Sequence, residues 1–154
     1  MHEFISYSED DTKKFAKALA SLLKKGDIII LSGDLGSGKT KFTEGVLDYF
    51  GKAQEISSPT FTIVNEHQSD NINIYHFDVY RLADIDEFYS IGGEEYFDNG
   101  ICIIEWGELI ESILPENYLK IDFKRDNDNI STRTLKLEPH GTHFNDILER
   151  IVLN

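Results

Sequence analysis

The feature that most restricts this chain is an octet, Gly33-Asp34-Leu35-Gly36-Ser37-Gly38-Lys39-Thr40, which matches the pattern G-x-x-x-x-G-K-[ST]. It follows Ile28-Ile29-Ile30-Leu31, an apolar run of the kind expected for a strand buried on both faces of a parallel sheet. A helix is expected after it, to about Phe50. Glycines in such a loop let the backbone turn so that successive N–H groups converge on phosphate oxygens, and the following helix adds its positive end. Lys39 would supply a point charge to the β- and γ-phosphates, and Thr40 a hydroxyl to a magnesium ion. Gly36, Ser37, Gly38, Lys39, Thr40 and Lys41 are therefore assigned to nucleotide binding. The plain alternative is an ordinary glycine turn. The placement between a buried strand and a helix favours the nucleotide.

The rest of the chain reads as α/β. A short strand is expected at residues 3–7, then a helix capped by Ser8 or Asp10 with Phe15, Ala18, Leu19, Leu22 and Leu23 on its apolar face. Gly26 stands where a helix C-terminal glycine belongs. Residues 61–66 and 72–77 flank the polar Ser69-Asp70-Asn71 and predict a hairpin. Residues 83–97 look mostly helical, weakened by Gly92-Gly93, and 101–104 form a second buried strand. A second hairpin is expected near the C-terminus, residues 118–123 with 132–137 around a turn-rich 126–129, and a helix at 143–153. The expectation is a single P-loop NTPase domain over residues 1–154, with a mixed β-sheet flanked by helices and a C-terminal β-hairpin.

A P-loop enzyme also needs a carboxylate at the tip of a neighbouring strand to organise magnesium and water. Two segments qualify: Ile101-Cys102-Ile103-Ile104-Glu105-Trp106, and Ile74-Tyr75-His76-Phe77-Asp78, followed by Val79-Tyr80-Arg81. Alternation places Ile72, Ile74, His76 and Asp78 on one strand face. Either acid could simply end a strand in solvent; two of them after a phosphate loop place at least one at the metal. Thr60 lies 20 residues after Thr40, in Ser57-Ser58-Pro59-Thr60-Phe61-Thr62. That segment suits a proline turn, or a loop whose hydroxyl or amide senses the γ-phosphate.

Composition narrows the function classes. Fifteen basic against 28 acidic residues leave a net charge of −13, which repels polyphosphate on average and disfavours a stand-alone DNA or RNA binder. Forty per cent hydrophobic residues suffice for a core in 154 residues. No apolar stretch is long enough to predict a membrane span, and the N-terminus has no signal-peptide pattern, so a soluble cytoplasmic protein is expected. Cys102, the one cysteine, excludes an internal disulfide and reads as a packed small hydrophobe. His140 and His143 offer no third ligand at suitable spacing and read as a surface turn. Asn129-Ile130-Ser131 fits a glycosylation sequon without a secretory signal to make it relevant. Phe88, Tyr89, Tyr96 and Phe97 read as core. Absence of an N-K-x-D motif favours adenine over guanine.

Taken together, the phosphate loop, Ser58-Pro59-Thr60-Phe61-Thr62, His76-Phe77-Asp78-Val79-Tyr80-Arg81-Leu82 and Ile104-Glu105-Trp106 resemble the TsaE (YjeE-type) ATPases of bacterial tRNA threonylcarbamoyladenosine biosynthesis. The likeness runs from the acidic helix start at residues 8–12 through Arg133. It implies an ATP- and Mg²⁺-dependent accessory subunit that joins TsaB- and TsaD-like partners and meets tRNA only through them. By matching position it implies Thr40 and Glu105 at magnesium, Asp78 in hydrolysis and Thr60 in a switch-like loop. Glu9 and Arg133 would lie near the nucleotide, with Trp106 beside the site. Lys41 stands where the family often repeats Thr, Glu44 where it often has Arg, and Gly107 where Pro is common. Two rival readings are a small-molecule P-loop kinase and a non-hydrolysing nucleotide switch. The first is disfavoured by a chain with only four arginines, Arg81, Arg125, Arg133 and Arg150, since such kinases usually carry an Arg-rich lid.

If the octet is a phosphate loop, Lys39→Ala removes its one side-chain charge aimed at the β- and γ-phosphates and abolishes tight ATP binding. Calorimetry on the folded variant checks this, and unchanged affinity would refute the reading of the loop.

Overall fold

The computed structural model describes residues 2–33, 38–57, 59 and 63–151. Seven strands form one mixed sheet: β1 (His2–Ser6), β2 (Ile28–Gly33), β3 (Val64–Gln68), β4 (Asn73–Asp78), β5 (Ile101–Glu105), β6 (Tyr118–Arg125) and β7 (Arg133–His140). Their spatial order is β1-β7-β6-β2-β5-β4-β3. The inner four, β6, β2, β5 and β4, run parallel, while β3, β7 and β1 each pair antiparallel with their neighbours. The helices are α1 (Glu9–Ala20), α2 (Lys39–Tyr49), α3 (Ile85–Ser90) and α4 (Thr142–Arg150).

Period-two alternation in β2 and β5 sends side chains to both faces, and both faces are apolar and covered. Ile29, Leu31, Ile101 and Ile103 meet Phe15 and Leu19 of α1, Phe42 and Val46 of α2, and Phe144 of α4 in one cluster. Ile28, Ile30, Cys102 and Ile104 join Tyr75, Phe77, Phe88 and Ile110 on the other side. Burial pushes the Cys102 thiol up to about 12, as suits a packing residue rather than a nucleophile.

Helix α1 starts where its chemistry directs. Ser8 Oγ accepts from the Asp11 N–H at 3.1 Å, while the Asp11 carboxylate accepts from the Tyr7 N–H at 3.0 Å. This satisfies two N–H groups at the helix entrance, close to a capping box. Three acidic residues in the first turn face the positive end of the helix. The buried stripe is Thr12, Phe15, Ala16, Leu19 and Ala20. Ala18, expected on the apolar face, is exposed, and Leu22 and Leu23 lie beyond the helix end. The stripe differs because α1 packs against a second helix as well as the sheet. At Gly45 of α2, an added Cβ would sit 2.5 Å from the Lys13 carbonyl oxygen and 2.8 Å from Ala16 Cβ.

Two further expectations are corrected. Residues 83–97 are not one helix: α3 spans six residues, Gly92 adopts a φ of +72°, and a short 3-10 turn follows at Gly93–Tyr96. The left-handed turn ends the helix, and Gly93 admits the Phe88 ring, which a Cβ would meet at 2.4 Å. Of the four aromatics expected in the core, Phe88 and Phe97 are buried, and Tyr89 is exposed. Among the described residues strand β3 spans Val64–Gln68; residues 61 and 62 of the expected strand lie outside the described residues. The hairpin turn is as expected, with Ser69 N–H donating to the Ile72 carbonyl at 3.0 Å.

Replacing Gly45 by Val forces α1 and α2 apart and lowers stability by about 1–3 kcal/mol, the usual cost of overpacking. Chemical denaturation of the variant against the parent measures the difference.

Candidate functional site

Parallel pairing decides where the loops meet. Leu31 of β2 stands opposite Glu105 of β5, and Glu105 stands opposite Asp78 of β4. Three neighbouring strands thus end together, one feeding the glycine loop and two ending in carboxylates. The junction is tied by the Trp106 N–H to the Leu31 carbonyl at 3.0 Å and the Val79 N–H to the Glu105 carbonyl at 3.2 Å. Asp78 is anchored at its own turn, where the Tyr80 N–H donates to Oδ1 at 3.0 Å.

These ends open into a cavity of about 580 Å³, a size typical of small-molecule sites. Gly38, Lys39, Thr40 and Lys41 line one side, and Asp78, Glu105 and Trp106 another. Tyr7, Ser8, Glu9 and Thr12 contribute from the entrance of α1, and Ile130, Ser131 and Arg133 from the β6–β7 connection. Of the residues singled out from sequence, Glu9, Gly38, Lys39, Thr40, Lys41, Asp78, Glu105, Trp106 and Arg133 therefore share one cavity. Gly36, Ser37 and Thr60 lie outside the described residues.

The charges are arranged in layers. Gly38 takes a φ of +111° as α2 begins, a conformation in which glycine carries no Cβ penalty. Lys39 is buried; its Nζ donates to the Gly33 carbonyl at 2.6 Å and lies 4.2 Å from the centre of the Trp106 ring. Trp106 in turn packs on the exposed Tyr80 with ring centres 5.0 Å apart. Thr40 is exposed to the cavity. At the rim, Lys41 bridges Glu9 at 3.4 Å and Glu44 at 3.3 Å, and Lys13 reaches Glu44 at 3.1 Å. The hydrogen bond from Lys13 holds the Glu44 carboxyl below the usual range, and the same carboxylate raises the Lys41 ammonium. Glu44 serves here to join α1 to α2. The Arg133 guanidinium donates to the carbonyls of Ile130 and Thr132, so it is fixed on its own loop.

Sequence reading missed Tyr7, Ser8 as a wall residue, Thr12, Ile130 and Ser131. Ile130 carried a faint signal, a bulky aliphatic in an otherwise polar turn, and it is 86% exposed. His76 was placed correctly on the face of Asp78, but its partner was not foreseen: Nε2 lies 2.5 Å from Glu105 Oε2. His143 pairs with the buried Asp27 at 2.9 Å. His140 does gain two acidic neighbours: Glu111, Glu138 and His140 place one ligand atom each within 4.8 Å of one another. Glu111, however, already accepts from Tyr118 Oη at 2.8 Å and Lys120 Nζ at 3.2 Å, so an ammonium group balances its charge.

A parallel-sheet strand that runs through a glycine loop into a helix, beside strand-end carboxylates, defines a P-loop-type α/β protein. The chain belongs to the TsaE family: the model described as "Threonylcarbamoyl adenosine biosynthesis protein TsaE" matches residues 6–135. It is 44% identical over 143 residues to the tRNA threonylcarbamoyladenosine biosynthesis protein TsaE of Bacillus subtilis (strain 168), covering 92% of this chain and 88% of that protein. Identity is 39% over 121 residues to the protein of the same name in Treponema pallidum (strain Nichols), covering 78% and 89%. The crystal structure of Bacillus subtilis YdiB superposes with a TM-score of 0.76 at 34% identity, covering 96% of this chain and 91% of that one. Among the described residues no helix is long and apolar enough to cross a membrane.

Proposed function

We propose that this chain binds ATP with Mg²⁺ in the cavity between α2 and the ends of β4 and β5, and hydrolyses it as an accessory subunit of tRNA threonylcarbamoyladenosine biosynthesis. It acts in the cytoplasm with TsaB- and TsaD-like proteins. The observation that carries the reading is the adjacency of Asp78 and Glu105 across a parallel ladder, beside the strand that leads to Lys39 and Thr40.

The donor set suits the metal. A threonine hydroxyl and a strand-end carboxylate are hard oxygen ligands, as magnesium prefers, and the described residues lining the cavity bring no sulfur or imidazole. When bound, magnesium supplies charge neutralisation at the transferring phosphate. The chain's own groups do the rest. Lys39 moves its ammonium from the Gly33 carbonyl to phosphate oxygens, leaving the Trp106 face. Thr40 and Glu105 would hold the cation. Asp78 orients the attacking water and accepts its proton. Tyr7 and Ile130, exposed apolar groups on the cavity wall, suit the purine end, and Glu9, Lys41 and Arg133 border the nucleotide. Gly36, Ser37 and Thr60 complete the phosphate cradle and the γ-phosphate sensor in this reading.

Turnover by the isolated chain is slow in this scheme. Fast P-loop enzymes add an arginine that neutralises charge on the transferring group. Arg133, the one arginine lining the cavity among the described residues, is held by loop carbonyls. A partner therefore completes the site or frees that arginine. The net charge of −13 leaves tRNA contact to the partners.

Asp78→Ala and Glu105→Ala each lower single-turnover hydrolysis by about 10²–10³, or about 3–4 kcal/mol, while much of the nucleotide affinity remains. Both variants turning over at the parental rate would remove these residues from the mechanism. A TsaB–TsaD-like pair binds this chain more tightly with ATP than with ADP. Equal affinities in the two titrations would eliminate the switch, because a ligand that does not discriminate between states cannot shift them.

A further inference from the structure

We infer that His76 is a positioning residue for Glu105: its imidazole holds one carboxylate oxygen so that the group offers a fixed face to a divalent cation. The inference rests on the magnesium–nucleotide reading above and deepens it.

The geometry is diagonal. In the β4–β5 ladder His76 stands opposite Ile103, and Asp78 stands opposite Glu105. The imidazole nevertheless reaches along the strand to Glu105, Nε2 to Oε2 at 2.5 Å, with side-chain exposures of 1% and 11%. A carboxylate can only accept, so Nε2 carries the proton. Among the described residues Nδ1 has no hydrogen-bond partner. The contact to Glu105 is thus the ring's one polar anchor in that set.

Packing alone does not account for a histidine here. Ile74, two residues earlier on the same face, is fully buried in the larger apolar cluster. A leucine at position 76 would continue that surface without the cost of burying an imidazole, which is offset only by its hydrogen bond. The bond has a specific consequence for the acid. Glu105 has a freely turning carboxylate unless one oxygen is pinned, and it lines the cavity. With Oε2 held by His76, Oε1 is left for the cavity side. Partners that orient a metal ligand in this way are commonly worth 10–100-fold in metal affinity.

The test compares the parent with His76→Leu and His76→Gln, with thermal denaturation to confirm folding. Calorimetry measures ADP affinity in EDTA and in a Mg²⁺ series, and hydrolysis is followed across the same series. For His76→Leu, the Mg²⁺ concentration at half-effect rises about 10–100-fold in both readouts, while ADP affinity in EDTA stays within about two-fold. His76→Gln restores most of the parental Mg²⁺ dependence, because its amide nitrogen can donate from near the place of imidazole Nε2. A purely structural histidine gives the reverse order, with the apolar leucine tolerated and the buried amide not. Should His76→Leu fail to fold, His76→Asn replaces it: its shorter amide cannot reach Glu105, so its Mg²⁺ concentration at half-effect rises as expected for His76→Leu, while His76→Gln stays near the parent. An unchanged Mg²⁺ requirement in His76→Leu, or equal behaviour of the Asn and Gln variants, overturns the positioning role alone. No ADP binding by the parent, with or without Mg²⁺, overturns the nucleotide reading itself.

Discussion

Burial of β2 and β5 on both faces governs the rest of this structure. Every residue from Ile28 to Leu31 and from Ile101 to Ile104 is fully buried. Their backbone groups are satisfied by parallel ladders, and their side chains need cover above and below. Parallel strands cannot be joined by tight turns, so the chain crosses back over a face each time it adds one. The crossovers supply the cover, and they bring the C-terminal ends of β2, β4 and β5 to one edge. Polar residues can be carried at that edge because the chain there is leaving the core.

The cavity is also shaped by packing at some distance from the phosphate loop. Gly45 lets α2 approach the backbone of α1, and the Lys13–Glu44–Lys41–Glu9 chain of ion pairs joins the two helices along their exposed side. The Ser8 and Asp11 cap sets the angle at which the chain enters α1, and so where Tyr7 and Glu9 meet the cavity. The individual exposed ion pairs contribute little. Close helix contact and the cap hold that wall against the start of α2.

A second linkage runs outward from Lys39. The ammonium rests between the Gly33 carbonyl and the Trp106 ring, and Trp106 supports Tyr80 at the surface. Trp106 itself takes a φ of +63°, a backbone conformation uncommon for a bulky residue. It is held there by its N–H bond to Leu31 and by Gly107, where an added Cβ would meet Ile30 at 2.8 Å. Strain of this kind persists where surrounding structure over-determines it, and it is commonest at functional sites.

Local pattern was enough for β2, α2, the strand-end acids and both hairpin turns, because each is determined by neighbours in sequence: apolar runs, glycines, caps and turn residues. The same locality misplaced Ala18, since helix spacing does not reveal that α1 has a second helix to face, while Leu22 and Leu23 pack against the core from beyond the helix end. It also joined residues 83–97, because the fit of Phe88 over Gly93 is a contact that helix propensity does not describe. The opposite wall of the cavity was beyond such reading. Tyr7, Thr12, Ile130 and Ser131 reach it only because β1 and β7 extend the sheet on the far side of β6. Strand order decides which residues from distant segments become neighbours, and no periodicity encodes it. The His76–Glu105 contact is the sharpest case: 29 residues separate the two in sequence, and only the side-by-side parallel pairing of β4 with β5 places a buried imidazole against that carboxylate.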